Sequence, residues 1–265
     1  MKSLFQPAVI AMIVVAGLAS CKKEGIQPND STITPPEVEA GRSVNLNVAH
    51  NLVRKGTDSL VYNAGGTLTK VIYSPSVFVS YQKSGNILTA SKFENNVLKA
   101  KVEYTLVNGR TSQSKHTSYE SNVAVTKTWL YDYNADNRLI QKYNKDNSTE
   151  RINFVWIGQD NLAVIKWFNG SNQQTAALQF TRNAQADKIK INSTRSGLDP
   201  YLKIFGTPCG IMSTGEDMTY PLSPASNFKE SHSFTYDRDG YPVKVSVYDP
   251  TNWTLKYTQT FAYSN

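Results

Sequence analysis

Residues that could do chemistry are few and scattered along this 265-residue chain. Cys209 would need a neighbouring histidine as a general base to act as a nucleophile. The sequence Gly210-Ile-Met-Ser-Thr-Gly215 misses the hydrolase elbow, because Ile211 stands where that tight turn requires glycine. The chain's three histidines are widely spaced, at His50, His116 and His232. Neither nucleophilic catalysis nor a transition-metal site is predicted.

The acidic residues give no stronger signal. Asp237 and Asp239 precede Gly240, but a calcium loop needs a third acid and a distal glutamate, so the pattern is typical of a hairpin turn. Glu216 and Asp217 are adjacent, and adjacent side chains point apart rather than acting as a glycosidase pair. The sequence contains no His-Glu-x-x-His, P-loop or Gly-x-Gly-x-x-Gly pattern. We therefore predict no enzyme activity, no cofactor and no metal.

The chain is basic, with a formal net charge of +7 and a pI of about 9.2. Its cations are spread along alternating segments, as at Lys70, Lys99 and Lys101, rather than clustered. Such lysines are typical of solvated strand faces and protected sheet edges. The pattern predicts no nucleic-acid binding, whereas attraction to anionic lipid or polysaccharide is compatible with it.

The N-terminus has the features of a targeting segment. Lys2 is followed by an apolar run from Ala8 to Ala19, which is too short for a spanning helix and suits a signal peptide. Leu18, Ala19, Ser20 and Cys21 then resemble the bacterial lipobox, in which signal peptidase II recognises the aliphatic and small residues and cuts before the cysteine. The resemblance implies that the Cys21 thiol carries a diacylglycerol.

This resemblance also implies a location. Cleavage removes Lys2 and lowers the formal charge to +6. Lys22, rather than aspartate, follows the cysteine, and by known sorting rules that favours the outer membrane. The segment Lys22-Lys23-Glu24 has one acid, so the acidic surface-export signal of some Bacteroidetes-type lipoproteins is poorly matched. We expect an outer-membrane-anchored protein, on the periplasmic side rather than the cell surface.

Three regions follow along the chain. Residues 1–20 are predicted to be the signal peptide. Residues 21–42 form a tether after the lipidated cysteine, since they hold Pro28, Pro35 and Pro36 without an apolar period. Residues 43–265 are predicted to be a β-meander domain.

Alternation with a period of two predicts the strands. Leu98, Ala100, Val102, Tyr104 and Leu106 share one face of a segment whose other face is polar. That pattern is typical of a strand with one solvated side. Charged residues make up 18% of the chain, below the usual share of about 25%, which also favours strands over charged helices.

Turn residues punctuate the apolar runs at intervals of about 10 to 15 residues, a spacing that leaves no room for crossover helices. The segments starting at Tyr62, Tyr133 and Tyr236 form a loose repeat, in which an aromatic residue, a polar turn and an aliphatic residue follow one another. We predict an all-β fold, an antiparallel meander of roughly ten strands that curls into an open or closed barrel.

One segment interrupts the alternation, between about 198 and 230. Asp199-Pro200 has the form of a helix start, Gly206 that of a helix end, and the apolar residues between them have helical spacing. We predict one short helix near 200–205, followed by a long loop that caps one end of the barrel.

The whole pattern resembles a known family. The lipobox, the tyrosine-rich meander, Asp199-Pro200-Tyr201, the Ser-x-Asn stretch near 223–228 and the hairpin at 236–242 are similar to an uncharacterised Bacteroidetes-type lipoprotein family, described as a domain of unknown function with a porin-like fold. The resemblance covers about residues 55–265. It implies a broad curled sheet or barrel, and it implies neither an established activity nor a catalytic residue.

Two functions remain open. The chain is predicted to be a non-enzymatic envelope lipoprotein that binds or carries a lipid or other amphipathic molecule, which requires a cavity that side chains leave unfilled. The alternative is a structural or accessory lipoprotein that docks glycan or partner proteins through its outer face, which requires a filled core and an exposed aromatic patch. The candidate ligand-contacting aromatics are Trp253, Trp167 and Tyr201. The oligomeric state stays open.

Overall fold

The computed structural model describes residues 50–120, 123–158 and 161–264. Within these ranges it contains sixteen strands and one short 3-10 helix, Pro224–Ser226. The strands are β1 Asn51–Lys55, β2 Asp58–Tyr62, β3 Leu68–Ser74, β4 Val77–Ser84, β5 Ile87–Glu94, β6 Val97–Val107, β7 Arg110–Glu120, β8 Val123–Tyr133, β9 Leu139–Asn144, β10 Arg151–Ile157, β11 Asn161–Phe168, β12 Gln174–Ala186, β13 Ile211–Thr219, β14 Phe228–Tyr236, β15 Pro242–Asp249 and β16 Thr254–Ser264.

Each strand pairs with the next in antiparallel register, and β1 pairs with β16 to close the barrel. The closing pair aligns Asn51 with Ser264 and Lys55 with Phe261. The predicted antiparallel meander is therefore confirmed, in its closed form. The predicted count of about ten strands is wrong. Many strands are short, or carry Ser, Thr and Lys in place of alternating apolar residues.

Side chains alternate between the lumen and the outer surface. In β10, Ile152 and Phe154 are buried inside, whereas Val155 is exposed outside. In β6, Tyr104 is buried, while the neighbouring Lys101 and Glu103 form a partly exposed ion pair. Most buried inward residues are thus apolar, whereas the outer face carries both apolar and charged residues.

The three hairpins of the loose repeat share a turn mechanism. In the first, the Asn63 side chain accepts hydrogen bonds from the backbone of Gly65 and Thr67. Asn134 and Asp237 occupy the same position in the other two and accept backbone hydrogen bonds in the same way. A short side-chain acceptor at this position fixes the turn, and the turn sets the register of the two strands.

The connection between β12 and β13, residues 187–210, folds into the lumen, and we call it the plug. The barrel end that carries this connection and the other even-to-odd turns is called the plug end. Tyr201, Leu202 and Phe205 of the plug are buried in the core. Phe205 lies against the rings of Tyr104 and Tyr131, with centroids 5.7 and 6.0 Å away.

The predicted short helix near 200–205 is wrong. Asp199 does accept a hydrogen bond from the Tyr201 backbone, as the helix-start pattern suggests. The next carbonyls, however, accept from other partners: Pro200 O and Leu202 O from Asn192 of the plug, and Ile204 O from Thr111 N of the barrel wall. These bonds replace the intrahelical ones. The predicted long loop is also shorter, because β13 and the start of β14 lie within 198–230.

Gly206 provides a test of the plug seating. It has a φ of +78°, as does Gly109 in the β6–β7 turn. A Cβ at Gly206 would collide with the Asn137 carbonyl oxygen and lie 2.9 Å from Tyr133 Cε1, whereas a Cβ at Gly109 would meet open space. Gly206→Ala should lower the free energy of unfolding by about 2 kcal/mol more than Gly109→Ala, measured by urea denaturation. Equal losses would show that the plug is not held against this turn.

Candidate ligand-binding cavities

Among the described residues, two cavities lie against the plug. The large cavity has a volume of about 590 Å³ and the small cavity about 320 Å³. Four plug residues line both of them: Ile189, Ile191, Leu202 and Lys203. The plug is therefore the shared partition between the two spaces.

The large cavity lies between the plug and the wall formed mainly by β9–β16. Its apolar lining comes from alternate, inward-facing residues of these strands, a consequence of the period of two. These residues include Leu139, Phe154, Trp156, Ile165, Phe180, Met212, Phe234, Val245, Val247 and Phe261. The arrangement offers an apolar surface to a bound molecule.

Charged residues of the plug and of β13 and β14 meet at one part of this cavity. Arg195 Nη1 lies 2.5 Å from Glu216 Oε2 and 2.9 Å from Glu230 Oε2. Both glutamates are buried, and they are register partners on adjacent strands. One guanidinium therefore offsets two carboxylates that would repel each other, and it holds the plug to the wall.

The pKa of Glu230 reflects this bond. Burial works to raise it, but the nearby His232, the hydrogen bond from Arg195 and the charges of Arg195 and Lys256 outweigh burial and lower the pKa to about 2. Conversely, the two carboxylates outweigh the burial of Arg195 and raise the pKa of its guanidinium.

Lys55 adds a second cation, after Arg195, to the polar part of the large cavity. Burial lowers the pKa of its ammonium, while the charges of Asp58 and Glu216 act in the opposite direction. Asp58 is engaged by the plug, since Tyr201 Oη donates to it at 2.5 Å. In the described part of the chain, Lys55 Nζ has no hydrogen bond or ion pair, so it can offer its donors to a molecule in the cavity.

The small cavity lies at the plug end, among β1, β2, β3, β5 and the plug. Leu52, Leu60, Leu88, Leu106 and Ile204 form much of its apolar surface. Its basic residues are one histidine and three lysines, His50, Lys83, Lys188 and Lys203.

A polar network centred on Ser114 lies in the barrel wall, away from both cavities. Ser114 Oγ lies 2.8 Å from His116 Nε2 and 2.8 Å from Tyr131 Oη. Burial, with help from Lys142 and Lys127, lowers the pKa of His116 to about 3. The serine and histidine form a bonded pair, but neither lines the two cavities, so no substrate reaches them there. Their arrangement is that of a satisfied buried network.

Lys142 fastens the same wall to the plug. Its ammonium donates to the Gly197 carbonyl at 2.9 Å and lies 4.9 Å from the Trp129 ring centroid. Burial lowers its pKa to about 8.

The structure separates the three aromatics proposed as ligand contacts. Tyr201 is buried and lines the small cavity. Trp167 is partly buried against the core and lines neither cavity. Trp253 lies in the β15–β16 turn with a φ of +56° and is 69% exposed. Ligand contact by each of them stays a prediction.

Other candidate residues fall as follows. Cys209 is partly buried, and its thiol donates to the Ile211 carbonyl. Leu18, Ala19, Ser20 and Cys21, together with the predicted signal peptide and tether, lie outside the described residues. No group of three or more His, Cys, Asp or Glu side chains in the described ranges is arranged to hold a metal ion.

Sequence reasoning missed the Arg195 cluster. Glu216 and Glu230 stand on the inward faces of their strands, beside the apolar Met218 and Phe228, and they mask the alternation there. An acid at an inward position of a strand is the signal that could have found them, because such a group requires a buried partner.

Charged residues lie on the outer surface in the middle of two strands, β6 and β7. Lys101 and Glu103 face outwards in β6, and Lys115 is exposed in the centre of β7. In a membrane-spanning barrel the outer band is apolar, and charged residues such as these are costly there.

No helix of the described residues is both long and apolar enough to cross a membrane.

Comparisons with known proteins agree on the fold. A porin-like protein from Bacteroides vulgatus ATCC 8482 has a similar structure, with a TM-score of 0.56, 12% sequence identity, and coverage of 81% of this chain and 99% of the other. A porin-like protein from Bacteroides uniformis ATCC 8492 gives a TM-score of 0.54 and 15% identity, covering 81% and 93%. No family model matches the sequence, and no curated protein matches it. The chain is thus a plugged barrel of porin-like fold.

The Glu230 pKa predicts an acid-dependent loss of stability. The folded pKa of about 2 lies below the ordinary value of 4.5, so the stabilisation is present above pH 4.5 and is lost as the pH falls towards 2. Between pH 6 and pH 3 the wild type should lose about 2 kcal/mol more unfolding free energy than Glu230→Gln does. Urea denaturation at each pH measures this difference.

Glu103→Gln is the control, because Glu103 belongs to the partly exposed pair with Lys101. It should change the unfolding free energy by less than about 1 kcal/mol. Parallel pH curves for wild type and Glu230→Gln would contradict the assignment of Glu230 to the cluster that holds the plug.

Proposed function

We propose that this chain is a non-enzymatic binding module that holds a lipid or other amphipathic molecule inside its barrel. The large cavity is the observation that carries this proposal. At about 590 Å³ it falls within the range of about 300–1,000 Å³ typical of small-molecule sites. A mostly apolar wall with a few polar groups is also typical of such sites.

The polar groups support an amphipathic occupant rather than a purely apolar one. Lys55 is a partly buried cation beside the cavity, and its donors are not engaged within the described ranges; Lys190 and Lys203 also line the cavity but are exposed. Arg195, by contrast, is bound to both glutamates. Lys55 can therefore bind the polar end of a molecule whose apolar part lies against Phe154, Phe234 and Val247.

The same contacts argue for binding rather than catalysis. Arg195, Glu216 and Glu230 satisfy one another, and Asp58 is hydrogen-bonded by Tyr201. The Ser114–His116 pair lies away from both cavities. Glu216 and Asp58 line the large cavity but are engaged in these bonds, so the fold holds them rather than presenting them as a general acid or base.

The proposed location is the periplasmic face of the outer membrane, with the lipid on Cys21 as the anchor. The outer face of the barrel supports a position outside the bilayer, since a lysine at the bilayer midplane costs a strand about 2–4 kcal/mol. Lys101 and Lys115 would both meet this penalty. Tethered lipoproteins place a folded module beside the membrane without inserting it.

A second function has one observation in its favour. Trp253 is 69% exposed beside Tyr248, with ring centroids 6.3 Å apart. Exposed aromatic rings can stack on sugar rings or anchor a partner protein, as an accessory lipoprotein would require. The unfilled cavities favour the carrier over this alternative.

Native mass spectrometry tests the carrier. The mature chain without its lipid, residues 22–265, should retain an adduct of several hundred daltons after purification from a periplasmic extract, and organic extraction should remove it. Val247→Phe reduces the large cavity and should lower adduct occupancy severalfold. Ser246→Phe on the outward face of the same strand should leave it unchanged. A bare polypeptide mass, with glycan binding that depends on Trp253, would favour the second function.

Metabolic labelling tests the anchor separately. A palmitate analogue with a clickable tail should label the full chain in a Gram-negative host, and Cys21→Ala should abolish the label. Cys209→Ala is the matched control and should keep it, because the lipobox pattern precedes Cys21 and not Cys209. Labelling that survives Cys21→Ala would exclude the proposed anchor.

A further inference from the structure

We propose that the small cavity is a separate site for a single-chain anionic amphiphile, with the anionic group held by lysines at the plug end. This site is distinct from the large cavity of the proposed function, and the two proposals can fail independently.

The charged residues that line the small cavity are all basic. Lys83, Lys188 and Lys203 line it together with His50, and no carboxylate side chain is among its lining residues. The large cavity is different, since Asp58, Asp187 and Glu216 line it beside its cations. An anion therefore gains attraction in the small cavity without the repulsion it would meet in the large one.

Two of the three lysines have donors to offer. Within the described residues Lys83 and Lys203 make no hydrogen bond or ion pair, and both are exposed at the plug end. Lys188 is partly engaged, because its ammonium donates to the Asp239 carbonyl and lies 5.1 Å from the Tyr241 ring centroid. The Asp237 carboxylate, on the same turn, accepts two backbone hydrogen bonds.

Beneath the lysines, the cavity is apolar. Leu52, Leu60 and Leu88 are buried, and Leu106 and Ile204 pack against the same core. The hydroxyls of the tyrosines that line it already donate hydrogen bonds within the protein: Tyr62 to Leu52 O, Tyr263 to Pro242 O and Tyr201 to Asp58. A ligand that enters thus meets hydrocarbon below and ammonium groups above.

The volume limits the ligand. About 320 Å³ is near the lower end of the range for small-molecule sites. It suits one short alkyl chain with one anionic group, such as a carboxylate, and excludes a phospholipid with two long chains.

Calorimetry on residues 22–265 with matched ten-carbon probes tests the site. Decanoate should bind more tightly than decanol or decyltrimethylammonium, all below their micelle concentrations, and added salt should weaken decanoate alone. Lys83→Gln should weaken decanoate binding about threefold, the effect of losing one partly screened ion pair. Leu106→Phe should reduce binding of decanoate by filling the cavity.

Lys115→Gln is the control, because Lys115 is an exposed lysine in the centre of β7 that lines neither cavity. It should leave decanoate affinity unchanged. The inference is overturned if decanoate does not bind the folded barrel, if the cationic probe binds equally well, or if Lys115→Gln weakens decanoate as much as Lys83→Gln.

A vesicle measurement separates the cavity from a membrane surface. The lysines should confer decanoate binding on the isolated protein without phosphatidylglycerol vesicles. If Lys83→Gln weakens vesicle binding and leaves decanoate unaffected, the lysines serve a membrane surface and the cavity site is excluded. Neither result alters the test of the large cavity with Val247→Phe.

Discussion

A sixteen-stranded barrel has a lumen too wide for the side chains of its own strands to fill, and this constraint governs the rest of the structure. Eight strands give an interior that side chains can pack, whereas barrels of sixteen or more hold a channel or a plug. Here residues 187–210 occupy the lumen. The plug supplies the apolar surface that the strands lack, and its imperfect fit leaves the two cavities.

A segment inside a barrel must satisfy its backbone and charged groups without water. The plug meets this need by bonding to the wall. Ile204 and Thr207 exchange backbone hydrogen bonds with the wall, and Lys142 donates to Gly197. Arg195 meets two carboxylates at once. Leaving a buried charge of this kind without its partner typically costs about 3–5 kcal/mol, so the contacts specify one position for the plug.

The sequence predicted the architecture through local patterns. Period-two alternation marked strands such as β6, and Asn or Gly at positions of positive φ marked turns, including Gly85, Asn95 and Gly240. The strand count failed where local signals are weak: β7, Arg110–Glu120, reads RTSQSKHTSYE and has no apolar alternation. Such a strand forms because its neighbours on both sides supply register and hydrogen bonds.

The candidate sites were harder to predict, because their residues meet only through the closed fold. Arg195 reaches Glu216 and Glu230 across 21 and 35 positions. Tyr201 was singled out as an aromatic, but its bond to Asp58 spans 143 positions. Helical spacing is present at Leu198, Tyr201, Leu202 and Phe205. These residues do not form a helix, however, because they pack against different parts of the barrel wall. Local periodicity carries no information about partners that topology brings together.

The pairing of β1 with β16 has a consequence for how the chain is made. Because Asn51 pairs with Ser264, the barrel cannot close until β16 has been synthesised. Until then the growing sheet has two unpaired edges, which are templates for association with other chains. The long-range closing contact also favours slow folding. The nascent chain therefore needs protection from association during this interval, far more than the finished barrel does.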